Sequence, residues 1–97
     1  MPRISTHVLD GEAGGPVPGV NVELRDRDKN TVAKATTDDR GRIETLADGL
    51  APGPYEIVWR LGGFVVSLSA TLDLSEERHY HVPVLASGHS AVVYLGA

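Results

Sequence analysis

Apolar and polar residues alternate along most of this chain, and stretches rich in glycine and proline interrupt the alternation. Residues 20–25 place two valines and a leucine on one face, and residues 64–74 place six apolar side chains on one face. A period of two predicts half-buried β-strands, and the eleven glycines and six prolines mark turns between them. No segment has a helical period, and residues 72–78 would form one helical turn at most. About seven or eight strands are predicted, over residues 4–10, 20–25, 31–37, 42–46, 55–59, 64–74, 79–85 and 90–95.

Short strands separated by regular turn signals are typical of an all-β sandwich, here expected to be antiparallel. At 97 residues the chain is expected to form a single domain over residues 1–97. A domain of this size buries roughly 60–65% of the surface of its unfolded chain, so its core is modest. Association with further copies would add buried area.

Composition excludes several classes of function. Without cysteine the chain has no disulfide, thiolate nucleophile or cysteine metal site, which fits a reducing compartment and an expected cytoplasmic location. The net charge of −4 argues against nucleic acid or an anionic membrane as partner. No apolar run approaches the ~20 residues of a membrane helix, and the first residues lack the apolar stretch of a secretory signal.

Three histidines stand on predicted strands near the two ends of the chain. His7 lies within residues 4–10, and His79 and His81 lie within residues 79–85. Because side chains two positions apart on a strand point to the same face, His79 and His81 share a face. If the two strands met, their imidazoles would supply a general acid–base pair or a metal site. No cysteine or carboxylate stands beside them, so no metal ligands are predicted, and each histidine alone is more often a surface residue.

An arginine follows a predicted tight turn at residues 38–41, where Gly41 is free to take a positive φ. Such a side chain is ordinarily exposed to solvent. The fixed donor fork of Arg42 would also suit a carbonyl oxygen or an oxyanion. The carboxylates stand mainly on turns and are interpreted as solubilising residues.

Taken together, these segments resemble the transthyretin-like family, and within it the 5-hydroxyisourate hydrolases. The resemblance is carried by Ile4-Ser5-Thr6-His7-Val8-Leu9-Asp10, Thr37-Asp38-Asp39-Arg40-Gly41-Arg42, Gly53-Pro54-Tyr55-Glu56 and His79-Tyr80-His81-Val82-Pro83. It covers almost the whole chain, although Arg40 stands where the family usually has aspartate. The first half alone also resembles prealbumin-like modules of the carboxypeptidase-regulatory kind, and the two histidine segments favour the hydrolases.

The resemblance implies a transthyretin-type sandwich, a homotetramer, no cofactor, and a small heterocyclic substrate bound at a subunit interface. It also implies the catalytic residues, which are His7, Arg42 and His81. The family ends in Tyr-Arg-Gly-Ser, whose arginine and serine help to build the site. The substrate-binding positions implied here are therefore Tyr94, Leu95, Gly96 and Ala97, which retain the tyrosine and glycine but neither the arginine nor the hydroxyl.

Three functions are open at this point. In the first, a hydrolase opens the ring of 5-hydroxyisourate or another cyclic amide, with His7 or His81 activating water and Arg42 stabilising the oxyanion. In the second, a diverged enzyme opens, closes or isomerises another small heterocycle. In the third, the protein binds a small molecule without catalysis. The altered tail keeps the second and third open, because losing one positioned oxyanion donor costs ~10²–10³ in rate and Leu95 is expected to make the pocket wall more apolar.

Overall fold

Nine strands follow one another in the computed structural model, which describes residues 1–96. All regular secondary structure within that range is β-strand, so the prediction of an all-β fold is confirmed. No helix with the length and apolarity needed to cross a membrane is present there. The strands are β1 Arg3–Asp10, β2 Gly15–Pro16, β3 Asn21–Arg25, β4 Thr31–Thr36, β5 Arg42–Ala47, β6 Pro54–Arg60, β7 Ser67–Asp73, β8 His79–Ser87 and β9 Ser90–Val93.

The strands form two sheets that pack face to face. In sheet A, β1 is central: β8 lies along one edge, β2 and β5 share the other edge, and β9 pairs with β8. Sheet B has the order β4-β3-β6-β7. All neighbours are antiparallel except β1 and β8, which are parallel, so the prediction of antiparallel strands was wrong for this pair. These strands come from opposite ends of the chain, and no hairpin constrains their relative direction.

Inward-facing side chains of both sheets form the core. Trp59 of sheet B is fully buried, and its Nε1 donates to Thr6 Oγ1 of sheet A at 3.0 Å. Thr6 Oγ1 in turn donates to the Val82 carbonyl oxygen at 2.7 Å. This chain of hydrogen bonds satisfies the buried polar atoms and ties β1 to β8 and to the opposite sheet.

Strand β7 begins at Ser67 rather than at residue 64, as the alternation had predicted. Phe64 and Val66 are 75% and 70% exposed. The Leu61 N–H donates to the Val66 carbonyl oxygen at 2.9 Å, so residues 61–66 close a loop before the strand starts. From there on the predicted apolar face does point inward, with Leu68, Ala70 and Leu72 packed against the core.

Further differences from the prediction concern β2 and the end of the last strand. Gly15–Pro16 pairs with Leu9 and Asp10 as a two-residue strand, within a segment that the sequence marks as a loop. The last strand ends at Val93 rather than at residue 95. The next residues nevertheless continue beside β8, through backbone hydrogen bonds from Tyr94 to Pro83 and from Gly96 to His81.

Candidate active site

The outer face of sheet A brings together polar residues from three adjoining strands. Ser5 and His7 point to the same face of β1 because they are two positions apart. The parallel register sets Ser5 opposite His81 of β8. On the other edge, His7 is opposite Arg42 of β5. The two histidine-bearing segments that the sequence singled out are therefore neighbours in one sheet.

A groove of ≈ 520 Å³ opens along this face. Two of the three predicted catalytic residues, Arg42 and His81, line it directly. The groove is lined by Arg3, Ser5, Thr6, Arg42, Ile43, Glu44, Thr45, His79 and His81.

Ser5 connects the two histidines of β8. Its Oγ lies 2.6 Å from His79 Nε2 and 2.8 Å from His81 Nδ1. The residue is only 3% exposed although it lies on the outer face, because the two imidazoles cover it. At the outer end of this cluster, a guanidinium nitrogen of Arg3 lies 3.0 Å from His79 Nδ1.

His7 lies beside the groove and is not part of its lining. Its Nε2 donates to the Arg40 carbonyl oxygen at 2.8 Å, which leaves Nδ1 as the acceptor of the neutral ring. The side chain is half-buried. It is close enough to His81 for its charge to influence that residue.

The pKa of His81 is lowered from the ordinary histidine value of 6.5. Burial is the largest cause, because it disfavours the charged imidazolium. The positive charges of His7, His79 and Arg42 add to the effect in that order. His81 is therefore mainly neutral at pH 7, which is the form that can both accept and donate a proton.

A tight turn before β5 places Arg42 beside the groove. The Gly41 N–H donates to the Asp38 carbonyl oxygen at 2.9 Å, and the Gly41 carbonyl accepts from the Val8 N–H at 2.7 Å. Gly41 has a φ of 72°, as predicted from the sequence. A Cβ there would lie 2.4 Å from the Val8 carbonyl oxygen, so the turn needs glycine for its backbone angle and for its close approach to β1.

The Asp38 side chain holds the same turn from below. Its Oδ1 accepts from the backbone N–H of Arg40 at 2.8 Å and of Arg42 at 3.0 Å. These hydrogen bonds, that of Arg42 first, hold the pKa of the Asp38 carboxyl below its usual value. The carboxylate therefore stabilises the backbone of the turn, and this fixes the position of the Arg42 Cα from which the side chain extends.

The end of the chain passes His81. The Tyr94 N–H donates to the Pro83 carbonyl oxygen at 3.3 Å, and the Gly96 N–H donates to the His81 carbonyl oxygen at 2.8 Å. A Cβ on Gly96 would lie 2.8 Å from His81 Cδ2. The absence of a side chain at Gly96 is what lets the tail lie against the imidazole.

The other tail positions lie elsewhere. Tyr94 and Leu95 line a separate, largely apolar groove of ≈ 310 Å³. Within one chain neither side chain lines the histidine groove, and Ala97 lies outside the described residues. The remaining lining of the apolar groove is Leu72, Asp73, Leu74, Tyr80, Val82 and Val93.

Sequence reasoning missed five polar residues of the groove lining, Arg3, Ser5, Thr6, Glu44 and Thr45. A weak signal exists for two of them, since Arg3 and Ser5 share the face of His7 by their spacing. Their meeting with β8 depends on a pairing across most of the chain, which no local pattern reveals. Within residues 1–96 no cluster of three or more histidine, aspartate or glutamate side chains could hold a metal ion.

A two-sheet sandwich with histidines and an arginine on adjoining strands of one outer face defines a transthyretin-like protein. Comparison with known families agrees: the model of the HIUase/Transthyretin family matches residues 4–96. The chain belongs to this family.

Two relatives of similar length are named 5-hydroxyisourate hydrolase. The 5-hydroxyisourate hydrolase of Caulobacter vibrioides is 31% identical, with 100% of each chain covered. That of Salmonella dublin is also 31% identical, over 97% of this chain and 80% of the relative.

Solved structures show the same fold. The 5-hydroxyisourate hydrolase of Klebsiella pneumoniae superposes with a TM-score of 0.91 at 29% identity, with 100% of both chains covered. Sea bream transthyretin in complex with thyroxine superposes with a TM-score of 0.86 at 21% identity, covering 97% of this chain and 94% of that one. The second likeness shows the fold alone.

Proposed function

We propose that this protein is a hydrolase that opens the ring of 5-hydroxyisourate or a closely related cyclic ureide in the histidine groove of sheet A. The observation that carries the proposal is the convergence of Ser5, Arg42 and His81 on one groove, with His7 beside it. Relatives that match the whole chain and are named for this activity support it.

Ring opening needs three things from the protein. A water molecule must lose a proton as its oxygen attacks the carbonyl carbon, the developing oxyanion must be stabilised, and the departing ring nitrogen must gain a proton. His7 and His81 are the groups for the two proton transfers, and the Arg42 guanidinium presents a donor fork for the oxyanion. Water is thereby added across the C–N bond, its OH to carbon and its hydrogen to nitrogen.

The charge of the groove fits this chemistry. Among residues 1–96, neither Arg3 nor Arg42 forms an ion pair with a carboxylate. Their positive charges remain available to a substrate that is anionic or that gains negative charge in the transition state. Among the described residues of the lining, Glu44 supplies the single carboxylate.

We propose in addition that the protein works as a homotetramer in the cytoplasm, with the groove closed by a second copy. Apolar side chains at the β8–β9 end of sheet A are exposed, from 39% at Leu85 to 55% at Val92 and Leu95. Strands β7 and β9 are unpaired sheet edges within the described chain. Such surfaces favour association, and the cysteine-free composition is compatible with the cytoplasm.

The loss of ultraviolet absorbance of 5-hydroxyisourate tests the activity. We expect micromolar protein to accelerate the decay well above the rate in buffer. A decay rate equal to that in buffer would exclude this substrate.

A second candidate is an enzyme of another small heterocycle. It is favoured by Leu95, which stands where the family carries an arginine and whose side chain lies in the apolar groove. If the wild-type protein is inactive and Leu95→Arg gains activity on 5-hydroxyisourate, the second candidate replaces the first.

A further inference from the structure

Four side chains on the outer face of sheet A form a continuous hydrogen-bonded relay. It runs from Arg3 to His79 Nδ1, from His79 Nε2 to Ser5 Oγ, and from Ser5 Oγ to His81 Nδ1. The three distances are 3.0, 2.6 and 2.8 Å. Arg3 lies at one end of the relay, and the imidazole of His81 lies at the other.

The Ser5 hydroxyl can donate a hydrogen bond to only one of the two imidazoles at a time, so all hydrogen bonds of the relay must run in the same direction. A hydroxyl has one proton to donate, and a buried hydroxyl uses both its donor and its acceptor capacity on protein partners. Ser5 is 3% exposed, and its Oγ contacts one nitrogen of each imidazole. It therefore donates to one of these nitrogens and accepts from the other.

When both histidines are neutral, the hydrogen bonds between His79, Ser5 and His81 can run in either of two directions. In the first, His79 Nε2–H donates to Ser5, and Ser5 donates to His81 Nδ1, so the proton of His81 is on Nε2. In the second, His81 Nδ1–H donates to Ser5, and Ser5 donates to His79 Nε2, so the proton of His79 is on Nδ1.

Arg3 distinguishes between the two directions. A guanidinium has donors and no acceptor, and it faces His79 Nδ1 at 3.0 Å. In the second direction Nδ1–H would point at another donor, which is repulsive. In the first direction Nδ1 is an acceptor, and every contact of the relay is a hydrogen bond.

We propose that Arg3 is a positioning residue that fixes the tautomer of His81 through His79 and Ser5, with the proton of His81 on Nε2. The catalytic consequence rests on the proposed function. Neutral His81 is then the proton donor to the departing ring nitrogen. The proton of the attacking water goes to His7 Nδ1, the ring nitrogen that is an acceptor because Nε2–H donates to the Arg40 carbonyl oxygen. Exchange with solvent restores both histidines after ring opening.

Nitrogen NMR of the histidine side chains tests the tautomer in the ligand-free protein, at about pH 8, where ordinary histidines are neutral. We expect His79 and His81 of the wild type to carry their protons on Nε2. In Arg3→Met, His79 is free to carry its proton on Nδ1, so His81 should shift to a mixture of both tautomers. Arg3→Lys should keep the wild-type tautomers, because an ammonium also donates to Nδ1.

Arg78→Met is the matched control for lost charge. Arg78 precedes His79, and its guanidinium lies 4.8 Å from the ring centroid of Tyr80 rather than on an imidazole nitrogen. This variant should leave both tautomers unchanged. A wild-type His81 protonated on Nδ1, or an Arg3→Met spectrum identical to that of the wild type, would overturn the proposal.

These spectra do not depend on turnover, so the relay and the proposed activity fail separately. If 5-hydroxyisourate is the substrate, Arg3→Met should lower kcat by at least about tenfold, because an imidazole in the wrong tautomer cannot donate from the required nitrogen. KM should change less than kcat. A change in KM alone would show that Arg3 only contacts the substrate, and it would contradict the positioning role.

Discussion

The two sheets of this sandwich carry polar grooves of similar size on their outer faces, but they use their charges differently. The groove of sheet B has a volume of ≈ 450 Å³ and that of sheet A ≈ 520 Å³. Sheet B is crossed by a network of ion pairs. Its members are Glu23–Arg25 at 3.1 Å, Lys29–Glu56 at 3.5 Å, Arg25–Glu56 at 3.7 Å and Arg60–Glu23 at 3.8 Å.

The face of sheet A that carries the histidine groove is held by hydrogen bonds between imidazoles, a hydroxyl and a guanidinium. The shifts in pKa express the difference. On sheet B, a hydrogen bond from Arg25 is the main cause that lowers the pKa of Glu23, so the environment favours the charged carboxylate. On sheet A, burial and positive neighbours lower the pKa of His81, so the environment favours the neutral imidazole.

This contrast shows which polar surface is suited to chemistry. Paired charges on sheet B neutralise one another and leave little for a ligand to compensate. On sheet A, the guanidinium groups of Arg3 and Arg42 form no ion pair with a carboxylate among residues 1–96, so they can still stabilise negative charge, and the neutral histidine can accept or donate a proton. A groove alone therefore does not identify the site.

The largest expected contrast comes from one arginine on each face. Arg42→Met should lower kcat/KM for 5-hydroxyisourate by about 10²–10³, the usual cost of one lost oxyanion donor. Arg60→Met, which removes an ion-paired arginine of sheet B, should leave kcat/KM unchanged. Steady-state rates from ultraviolet absorbance measure both. Equal losses in the two variants would refute the division between the faces.

The turn that carries Arg42 gives the next effect. Gly41→Ala should destabilise the fold by about 2 kcal/mol or more, since a positive φ alone costs a residue with a side chain roughly 1–2 kcal/mol and the added Cβ would meet the Val8 carbonyl. Gly62→Ala is the control, because Gly62 has a φ of 74° and open space around it. Urea unfolding should show a clearly smaller loss for Gly62→Ala. Equal losses would mean that the close approach to β1 is unimportant.

The smallest effect is in the pH dependence of stability. Because the pKa of folded His81 lies below 6.5, the unfolded chain binds more protons as the pH falls past that value, and the free energy of unfolding decreases. The slope from one such group is at most about 1.4 kcal/mol per pH unit. His81→Asn should flatten this part of a urea-unfolding series.

In the same urea-unfolding series, Glu23 should affect the free energy of unfolding at a lower pH than His81 does. The free energy from its lowered pKa is present above the ordinary carboxyl value of 4.5 and is lost as the pH falls through the lowered value. Glu23→Gln should therefore leave the slope near pH 6 unchanged. A flattening near pH 6 in Glu23→Gln, or none in His81→Asn, would contradict the contrast between the faces.

Much of this arrangement could be predicted from the sequence. Strand periodicity gave the all-β fold and the shared face of His79 and His81. The glycine before Arg42 predicted a tight turn with a positive φ. These features are local, since the residues of one short segment determine each of them.

The remainder depends on contacts between distant segments. Ser5 and His81 are 76 positions apart, and only the parallel pairing of β1 with β8 shows that the serine joins the two histidines. The alternation at residues 64–66 predicted a strand because nothing local reveals the hydrogen bond from Leu61 that closes the loop. Likewise, the spacing of the tail did not show that Leu95 lies in the apolar groove while Gly96 contacts His81.

The most direct test of the central claim is the initial rate of 5-hydroxyisourate decay with the wild-type protein and with His81→Ala, measured side by side. We predict clear acceleration by the wild type and a loss of about 10²–10⁴ in His81→Ala, the range expected for one proton-transfer group. A wild-type rate no faster than buffer, or a His81→Ala rate equal to that of the wild type, would contradict the assignment of the histidine groove as the catalytic site.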